Sequence, residues 1–285
     1  MIEIENNKHL GIIFQPRSGS HVLRRYMCGL LNRVDLLEWY NVYIIPPKIS
    51  IKNNLMDYDE NTEGPFTNKN IGTHLEEKTR LVENIKILKD LSDIKEYGVA
   101  TIQSTSYVER EWLDMLELIA HQQNMQFINL DRADVLYSII SLFLSMKTME
   151  FHNQTQYTIL RNVDVKHLPL EQLHSLLQNY IDNKDAVKKY FGNISTIYYE
   201  QYQHKVSNII NLFTGIPKKI VGIGLNKFKG NHKEMISNID EVEDYYEEFV
   251  NKHSEYFPQY FGKLPHITIP ASQGRQPRIL LPEYS

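Results

Sequence analysis

Cysteine is almost absent from this chain, because Cys28 is the only one among 285 residues. A single cysteine excludes an internal disulfide and a cysteine-based zinc site. Long apolar runs are missing too, since no stretch approaches the ~20 apolar residues that a membrane helix needs. The polar, mixed-charge N-terminus does not have the pattern of a secretory signal. We therefore expect a cytoplasmic protein with no membrane partner.

An excess of positive charge is also missing. The chain has 31 basic and 35 acidic residues and a net charge of −4, so nucleic acid is not an expected partner. The eleven histidines show no H-E-x-x-H or similar spacing, and we expect no metal site. Neither a G-x-S-x-G elbow nor a G-x-x-x-x-G-K-[ST] phosphate loop occurs. The sequence gives no indication of the oligomeric state.

Two apolar periodicities alternate along the chain. Short apolar runs predict strands at 10–14, 41–45, 71–74, 98–103, 125–130 and 194–199, and 3-4 spacing predicts helices between them. This alternation predicts an α/β fold of three layers, with a central parallel β-sheet flanked by helices. The polar stretch 53–70 is expected to be a loop. We expect one domain, residues 1–285, with a C-terminal extension from about 264.

Polar junctions follow three of the predicted strands. They read QPRSGS (15–20), LDRAD (130–134) and YYEQY (198–202). In a parallel sheet, ligands bind at the carboxyl ends of the strands. The three junctions are therefore expected to share one crevice.

The first junction suits an anion better than a neutral ligand. A helix N-terminus carries unpaired N–H groups and about half a positive charge, and Ser and Gly let an anion approach these groups closely. Arg17, Arg24 and Arg25 add positive charge nearby, while Ser18 and Ser20 add hydroxyl donors. A capped turn with solvated arginines remains the alternative.

The segment strand–PRSGS–helix resembles the 5′-phosphosulfate-binding loop of sulfotransferases that use 3′-phosphoadenosine 5′-phosphosulfate (PAPS). Pro16, Arg17, Ser18, Gly19 and Ser20 match that motif position by position. His21 stands where family members usually carry Thr. The resemblance implies a P-loop NTPase-like sulfotransferase fold, PAPS as sulfuryl donor, and PAP (3′,5′-ADP) as product.

Three later segments resemble the same family in the same order. Sulfotransferases hold the 3′-phosphate with an Arg at a strand end and a Ser on the next helix. A strand ending in Tyr-Glu places the Tyr near the adenine, and a late basic turn with a Lys-Gly pair covers the 3′-phosphate side. The residues that match are Arg132 with Ser141 or Ser138, Tyr199 before Glu200, and Lys227, Lys229 and Gly230.

Two residues are candidates for the general base that takes the acceptor's proton. Glu38, before Trp39-Tyr40, resembles the Glu-aromatic arrangement of bacterial trehalose-type sulfotransferases. His74 is favoured by an unperturbed pKa of ~6.5, and other branches of the family use a His. The choice between Glu38 and His74 stays open, and Arg17 is expected to stabilise the leaving phosphate.

The leading hypothesis is therefore a PAPS-dependent sulfotransferase that acts on a hydroxyl of a carbohydrate or other small metabolite. The alternatives are a nucleotide-dependent phosphotransferase with an unusual loop, and a non-catalytic module that binds the nucleotide. The residues do not identify the acceptor.

Overall fold

A computed structural model describes residues 2–39, 49–52, 55–58, 89–104, 124–148, 165–202, 206–214 and 232–262. The strands are β1 (Ile2–Glu3), β2 (His9–Phe14), β3 (Val34–Trp39), β4 (Ile49–Lys52), β5 (Leu55–Tyr58), β6 (Gly98–Gln103), β7 (Met125–Asp131), β8 (Thr196–Tyr198) and β9 (Phe213–Thr214). The helices are α1 (Ser20–Leu31), α2 (Val135–Thr148), α3 (Leu170–Phe191), α4 (Tyr199–Tyr202), α5 (Val206–Leu212) and α6 (Ile239–Lys252), with 3₁₀ helices at His232–Met235 and Ser254–Tyr256. Residues 89–93 are helical as well.

Five strands form a parallel sheet in the order β3-β6-β2-β7-β8. All six residues of the central strand β2 are buried. Strands buried on both faces read as continuous apolar runs, which is why LGIIF is easily recognised. The predicted α/β fold with a central parallel sheet is confirmed, whereas its sulfotransferase type stays a prediction.

Helices cover the sheet, and their apolar residues form two clusters. In the first cluster, Leu10, Ile12 and Phe14 of β2 pack with residues of α1 and α5. The second cluster joins α2, α3 and α6. Cys28 contacts the first cluster, and burial raises the pKa of its thiol, as expected of a packed side chain rather than a nucleophile.

The strand predicted at 194–199 is shorter in the structure. It ends at Tyr198, and Tyr199 begins helix α4. The backbone N–H of Tyr198 donates to Oε1 of Gln201 at 2.8 Å. A side chain that reaches back three residues in this way is half of a capping box, and it fixes the start of a helix.

Two further segments differ from expectation. Val34–Trp39, which includes Glu38, is an edge strand of the sheet, although no strand was predicted there. Polar and apolar residues alternate only imperfectly in its sequence, VDLLEW, and its pairing with β6 shifts register between Asp35 and Glu38. Leu55–Tyr58 pairs antiparallel with Ile49–Lys52, so the expected polar loop is wrong at its start. The predicted strands 41–45 and 71–74 lie outside the described residues.

Within the described ranges, no helix has the length and apolar character needed to cross a membrane. The same ranges contain no group of three His, Cys, Asp or Glu side chains arranged to hold a metal ion.

Candidate functional site

The loop between β2 and α1 has two residues in left-handed backbone conformation. Arg17 has φ +67° and Gly19 has φ +83°. Gly19 is the N-cap of α1 and, having no side chain, cannot cap the helix; its carbonyl accepts from Val22 N–H at 3.1 Å. The first turn of α1 therefore begins without a side-chain cap from that residue, and this arrangement suits an anion.

Gly19 is fixed by its neighbours as well as by its backbone. A Cβ atom there would lie 2.6 Å from Cδ2 of Tyr199 and 3.2 Å from the hydroxyl oxygen of Tyr202. The Tyr202 hydroxyl donates to the Gly19 carbonyl at 3.2 Å, and the Tyr202 side chain is fully buried. The aromatic residues that follow β8 thus support the loop that follows β2.

Arg132 lies directly after β7 and is held from several sides. Its Nε forms an ion pair with Oε1 of Glu200 at 2.8 Å, in which the two side chains are 12% and 4% exposed. Its guanidinium carbon lies 4.3 Å from the ring centre of Tyr199, and its Nη1 donates to the backbone oxygen of Arg17 at 3.4 Å. Burial alone would lower the pKa of Arg132, but Glu200 and nearby groups raise it above its usual value.

Glu200 also supports the turn that carries Arg132. Its carboxylate accepts the backbone N–H of Ala133 at 2.7 Å and that of Asp134 at 3.4 Å. On the other side, the buried carboxylate of Asp131 accepts the Arg132 N–H at 2.7 Å and the Tyr180 hydroxyl at 3.0 Å. These contacts leave the Arg132 side chain little freedom, so its position next to the loop is defined by the fold.

Arg17 and Arg132 bring like charges together. Burial and the positive charge of Arg132 lower the pKa of Arg17 to about 10. Arg17 Nε donates to the Ser141 hydroxyl at 2.9 Å. We call this group, Arg17 and Arg132 with the loop 15–19, the Arg17–Arg132 site. A ligand of negative charge would relieve the repulsion between the two guanidinium groups.

Both candidate serines of α2 contact the loop. Ser138 donates to the Pro16 carbonyl at 3.1 Å, and Ser141 accepts from Arg17. The two are three residues apart and share a helix face, as expected. The Ser141 hydroxyl contacts a guanidinium group directly, whereas the Ser138 hydroxyl donates to the loop backbone. Ser141 is therefore the serine that is bonded to an arginine side chain of the site.

The other loop residues have different environments. The Ser18 side chain is fully buried, and its hydroxyl makes no hydrogen bond to the part of the chain described. Ser20 is buried and His21 is half-buried on the first turn of α1. Arg24 was expected to add charge at the loop, but it is buried against Asp35 with Nε–Oδ1 2.8 Å. Its charge is therefore neutralised within the fold, and Arg25 is exposed.

Tyr199 was expected to lie near an adenine base. Its ring contacts Arg132 and lies against Gly19, and its side chain is only 8% exposed. Burial raises the pKa of Tyr199 to about 12, so its phenol stays neutral. A role in base stacking remains a prediction.

Sequence reasoning overlooked two aromatic residues of the site. Tyr137, on the first turns of α2, lies 5.5 Å from the Arg132 guanidinium, measured to the ring centre. The His232 ring lies 4.8 Å from the Tyr137 ring and is 5% exposed. In the sequence, His232 lies two residues after Gly230 of the expected Lys-Gly pair. This proximity to an expected binding segment is the signal that could have identified it.

Four expected site residues lie outside the residues that the structure describes: His74, Lys227, Lys229 and Gly230. Glu38 lies in β3, where its backbone pairs with Thr101 of β6, near the carboxyl end of the strand. That end belongs to the same sheet edge as Phe14 and Asp131, because the five strands are parallel.

Comparisons with known proteins give no further guidance, since no family model, curated protein or solved structure matches the chain.

Proposed function

We propose that this protein is a PAPS-dependent sulfotransferase that transfers a sulfuryl group to a hydroxyl of a carbohydrate or small metabolite, and works in the cytoplasm. The observation that carries the proposal is the convergence of Arg17 and Arg132. The two residues are 115 positions apart in the chain, and the Arg132 guanidinium donates to the Arg17 backbone. A nucleotide with phosphates at both ends of its ribose needs such a pair of basic residues.

The loop supports the same proposal. Its left-handed Arg17 and Gly19 precede α1, whose N-terminus attracts anions. In the proposed complex, residues 16–21 bind the 5′-phosphosulfate, and Arg132 with Ser141 or Ser138 binds the 3′-phosphate. Tyr199 lies beside the nucleoside, and Lys227, Lys229 and Gly230 cover the 3′-phosphate side.

Sulfuryl transfer requires these groups to act together. The acceptor oxygen forms a bond to sulfur while the bond between sulfur and the bridging phosphate oxygen breaks, and PAP leaves. Arg17 and the loop N–H groups stabilise the charge on that phosphate. The acceptor's proton passes to Glu38 or His74, and no metal takes part in the proposed reaction.

Calorimetry with 3′,5′-ADP tests the proposed donor site. We expect wild-type protein to bind it, and we expect Arg17→Met to weaken binding about 10- to 100-fold, because a hydrogen bond to a charged group contributes about 1.5–3 kcal/mol. Arg25→Met is the matched control, since it removes an exposed arginine from α1, the helix that follows the loop. Equal affinity in all three proteins would contradict the proposed role of Arg17.

A second measurement separates the proposal from a phosphotransferase. Thermal stabilisation by 3′,5′-ADP that exceeds stabilisation by ATP with Mg²⁺ supports a sulfotransferase donor site, and the reverse order would contradict it. Transfer of radiolabelled sulfate from PAPS to a panel of sugars and small alcohols then tests turnover.

A further inference from the structure

His232 is a buried basic side chain that the proposed mechanism does not use. It begins the 3₁₀ helix His232–Met235, and it is 5% exposed. Its ring contacts Tyr137, whose ring in turn lies beside the Arg132 guanidinium. His232 therefore belongs to the cluster around the Arg17–Arg132 site, although it comes from a segment almost 100 residues after α2 begins.

Two arginines and one tyrosine from three parts of the fold act on His232. Arg17 comes from the loop, Arg132 follows β7, and Tyr137 comes from α2, the helix against which the 3₁₀ helix packs. Burial is the largest effect, and the two arginines add to it, so that the pKa of His232 falls to about 4. Without an anion in the site, the imidazole is therefore neutral at pH 6.

An anion between the two arginines changes this balance. Its negative charge offsets the positive field of Arg17 and Arg132, which helps to keep the imidazole neutral. We propose that His232 is a third basic contact for the anion bound at the Arg17–Arg132 site and takes up a proton when that anion binds. The inference rests on the proposed function, because it identifies the anion as the 3′-phosphate of the adenine nucleotide, which Arg132 binds with Ser141 or Ser138 in the proposed complex.

Proton uptake has a direction that can be measured. A group whose proton affinity rises on ligand binding makes that ligand bind more tightly as the pH falls. The window lies between about 4, the pKa of His232 without ligand, and its ordinary value of 6.5. The phosphates of the nucleotide also titrate near pH 6, with the opposite effect on affinity. Inorganic sulfate stays a dianion throughout this window, so it isolates the contribution of the protein.

Nuclear magnetic resonance measures the titration of His232 directly. Histidine ring protons of the wild-type protein are followed between pH 4 and pH 8, without ligand, with saturating sulfate and with saturating 3′,5′-ADP. His232→Asn and His232→Gln each assign the resonance by its loss. We expect the midpoint to rise by at least about one pH unit with either anion, which corresponds to tenfold coupling.

Calorimetry at pH 5.5 in two buffers of different ionisation enthalpy counts the protons taken up with sulfate. We expect uptake by the wild-type protein and by His174→Asn, and none by His232→Asn. His174 is the matched control because it is exposed and contacts Tyr245 on the surface between α3 and α6.

The outcomes separate the two proposals. If 3′,5′-ADP binds but the His232 midpoint does not move and no proton is taken up, the inference is overturned and the proposed function stands. If neither anion produces heat or a spectral change at the site, both are overturned. Proton uptake that persists in His232→Asn would assign the effect to another group and would also overturn the inference.

Discussion

The two ends of β2 both lie next to buried basic side chains, but their electrostatics differ. At the amino end, the fully buried His9 accepts the Gly98 N–H through Nδ1 at 3.0 Å. Its Nε2 must then carry the proton of the neutral ring and donate to the Ser92 hydroxyl, 2.8 Å away. Every ring nitrogen of His9 is thus used inside the protein.

At the carboxyl end, Arg17 and Arg132 lie together, and the buried carboxylate of Glu200 pairs with Arg132. Burial, and then the positive charge of Arg132, lower the pKa of Arg17, so its charged form is less stable here than in water. The amino end is satisfied internally, whereas the carboxyl end carries an arginine whose pKa is lowered by burial and by a second arginine, and perturbed groups of this kind mark a candidate site. This difference in hydrogen bonding and charge identifies His9 as a structural residue and the Arg17–Arg132 site as a candidate for binding.

The largest expected effect comes from breaking the buried ion pair. Glu200→Ala leaves the Arg132 charge buried and unpaired, which should lower the free energy of unfolding by about 3–5 kcal/mol. Glu5→Ala is the control at the amino end, where the Lys8–Glu5 pair is 32% and 44% exposed and contributes about 0–1 kcal/mol. Urea unfolding measures the stability of both variants. Similar losses of unfolding free energy in Glu200→Ala and Glu5→Ala would contradict the proposed difference between the two ends of β2.

Gly19→Ala is expected to have the next largest effect. Its Cβ would collide with Tyr199, and a left-handed non-glycine residue costs about 1–2 kcal/mol by itself, so we expect a total loss of about 2–4 kcal/mol. Gly262→Ala carries only the backbone cost, because Gly262 has φ +63° and no atom of the described residues lies within 4 Å of its missing Cβ. Thermal unfolding with and without 3′,5′-ADP distinguishes the variants. A Gly19→Ala protein as stable as Gly262→Ala would show that the Tyr199 contact is unimportant.

At the amino end of β2, His9→Gln should lower the stability of the fold without changing the affinity for 3′,5′-ADP. Losing the acceptor for the buried Gly98 N–H costs about 1–3 kcal/mol. His9 lies roughly 16 Å along the strand from Phe14, so the affinity for 3′,5′-ADP should be unchanged. Calorimetry that found a clear change in affinity would mean that the two ends are coupled.

The smallest effect concerns the two serines of α2. Ser141→Ala removes the acceptor of the Arg17 Nε hydrogen bond and should weaken anion binding by about 0.5–1.5 kcal/mol. Ser138→Ala removes only a bond to the Pro16 carbonyl, and we expect a smaller change. Calorimetry with 3′,5′-ADP compares the two, and a larger loss in Ser138→Ala would reverse the assignment.

Sequence patterns predicted the parts of the fold that are governed by local rules. The strand 10–14 is a continuous apolar run because β2 is buried on both faces, and the strands 98–103 and 125–130 are mostly apolar. The edge strand Val34–Trp39 has mixed polarity and a register shift, and periodicity alone did not reveal it. Helix α4 depends on a single side-chain cap from Gln201, which is a weak signal in one sequence.

The site was predicted less completely than the fold. The loop 15–20 and Arg132 could be recognised because they follow predicted strands, and parallel strands end at one edge. Glu200, Tyr137 and His232 received no role, since single polar or aromatic residues carry no information about partners far away in the chain. Their contribution depends on packing that brings β7, α2 and the 3₁₀ helix together.

The contact between Arg132 and Glu200 also has a kinetic consequence. The neighbouring contact from the Ala133 N–H to Glu200 joins residues 67 positions apart, and the contact from Arg132 to the Arg17 carbonyl joins residues 115 positions apart. Contacts between residues this far apart carry a larger loop-closure entropy than local ones, so we expect them to form after the helices. Recovery of 3′,5′-ADP binding during refolding would therefore lag behind recovery of helical signal, and nucleotide capture would report the last tertiary steps of folding.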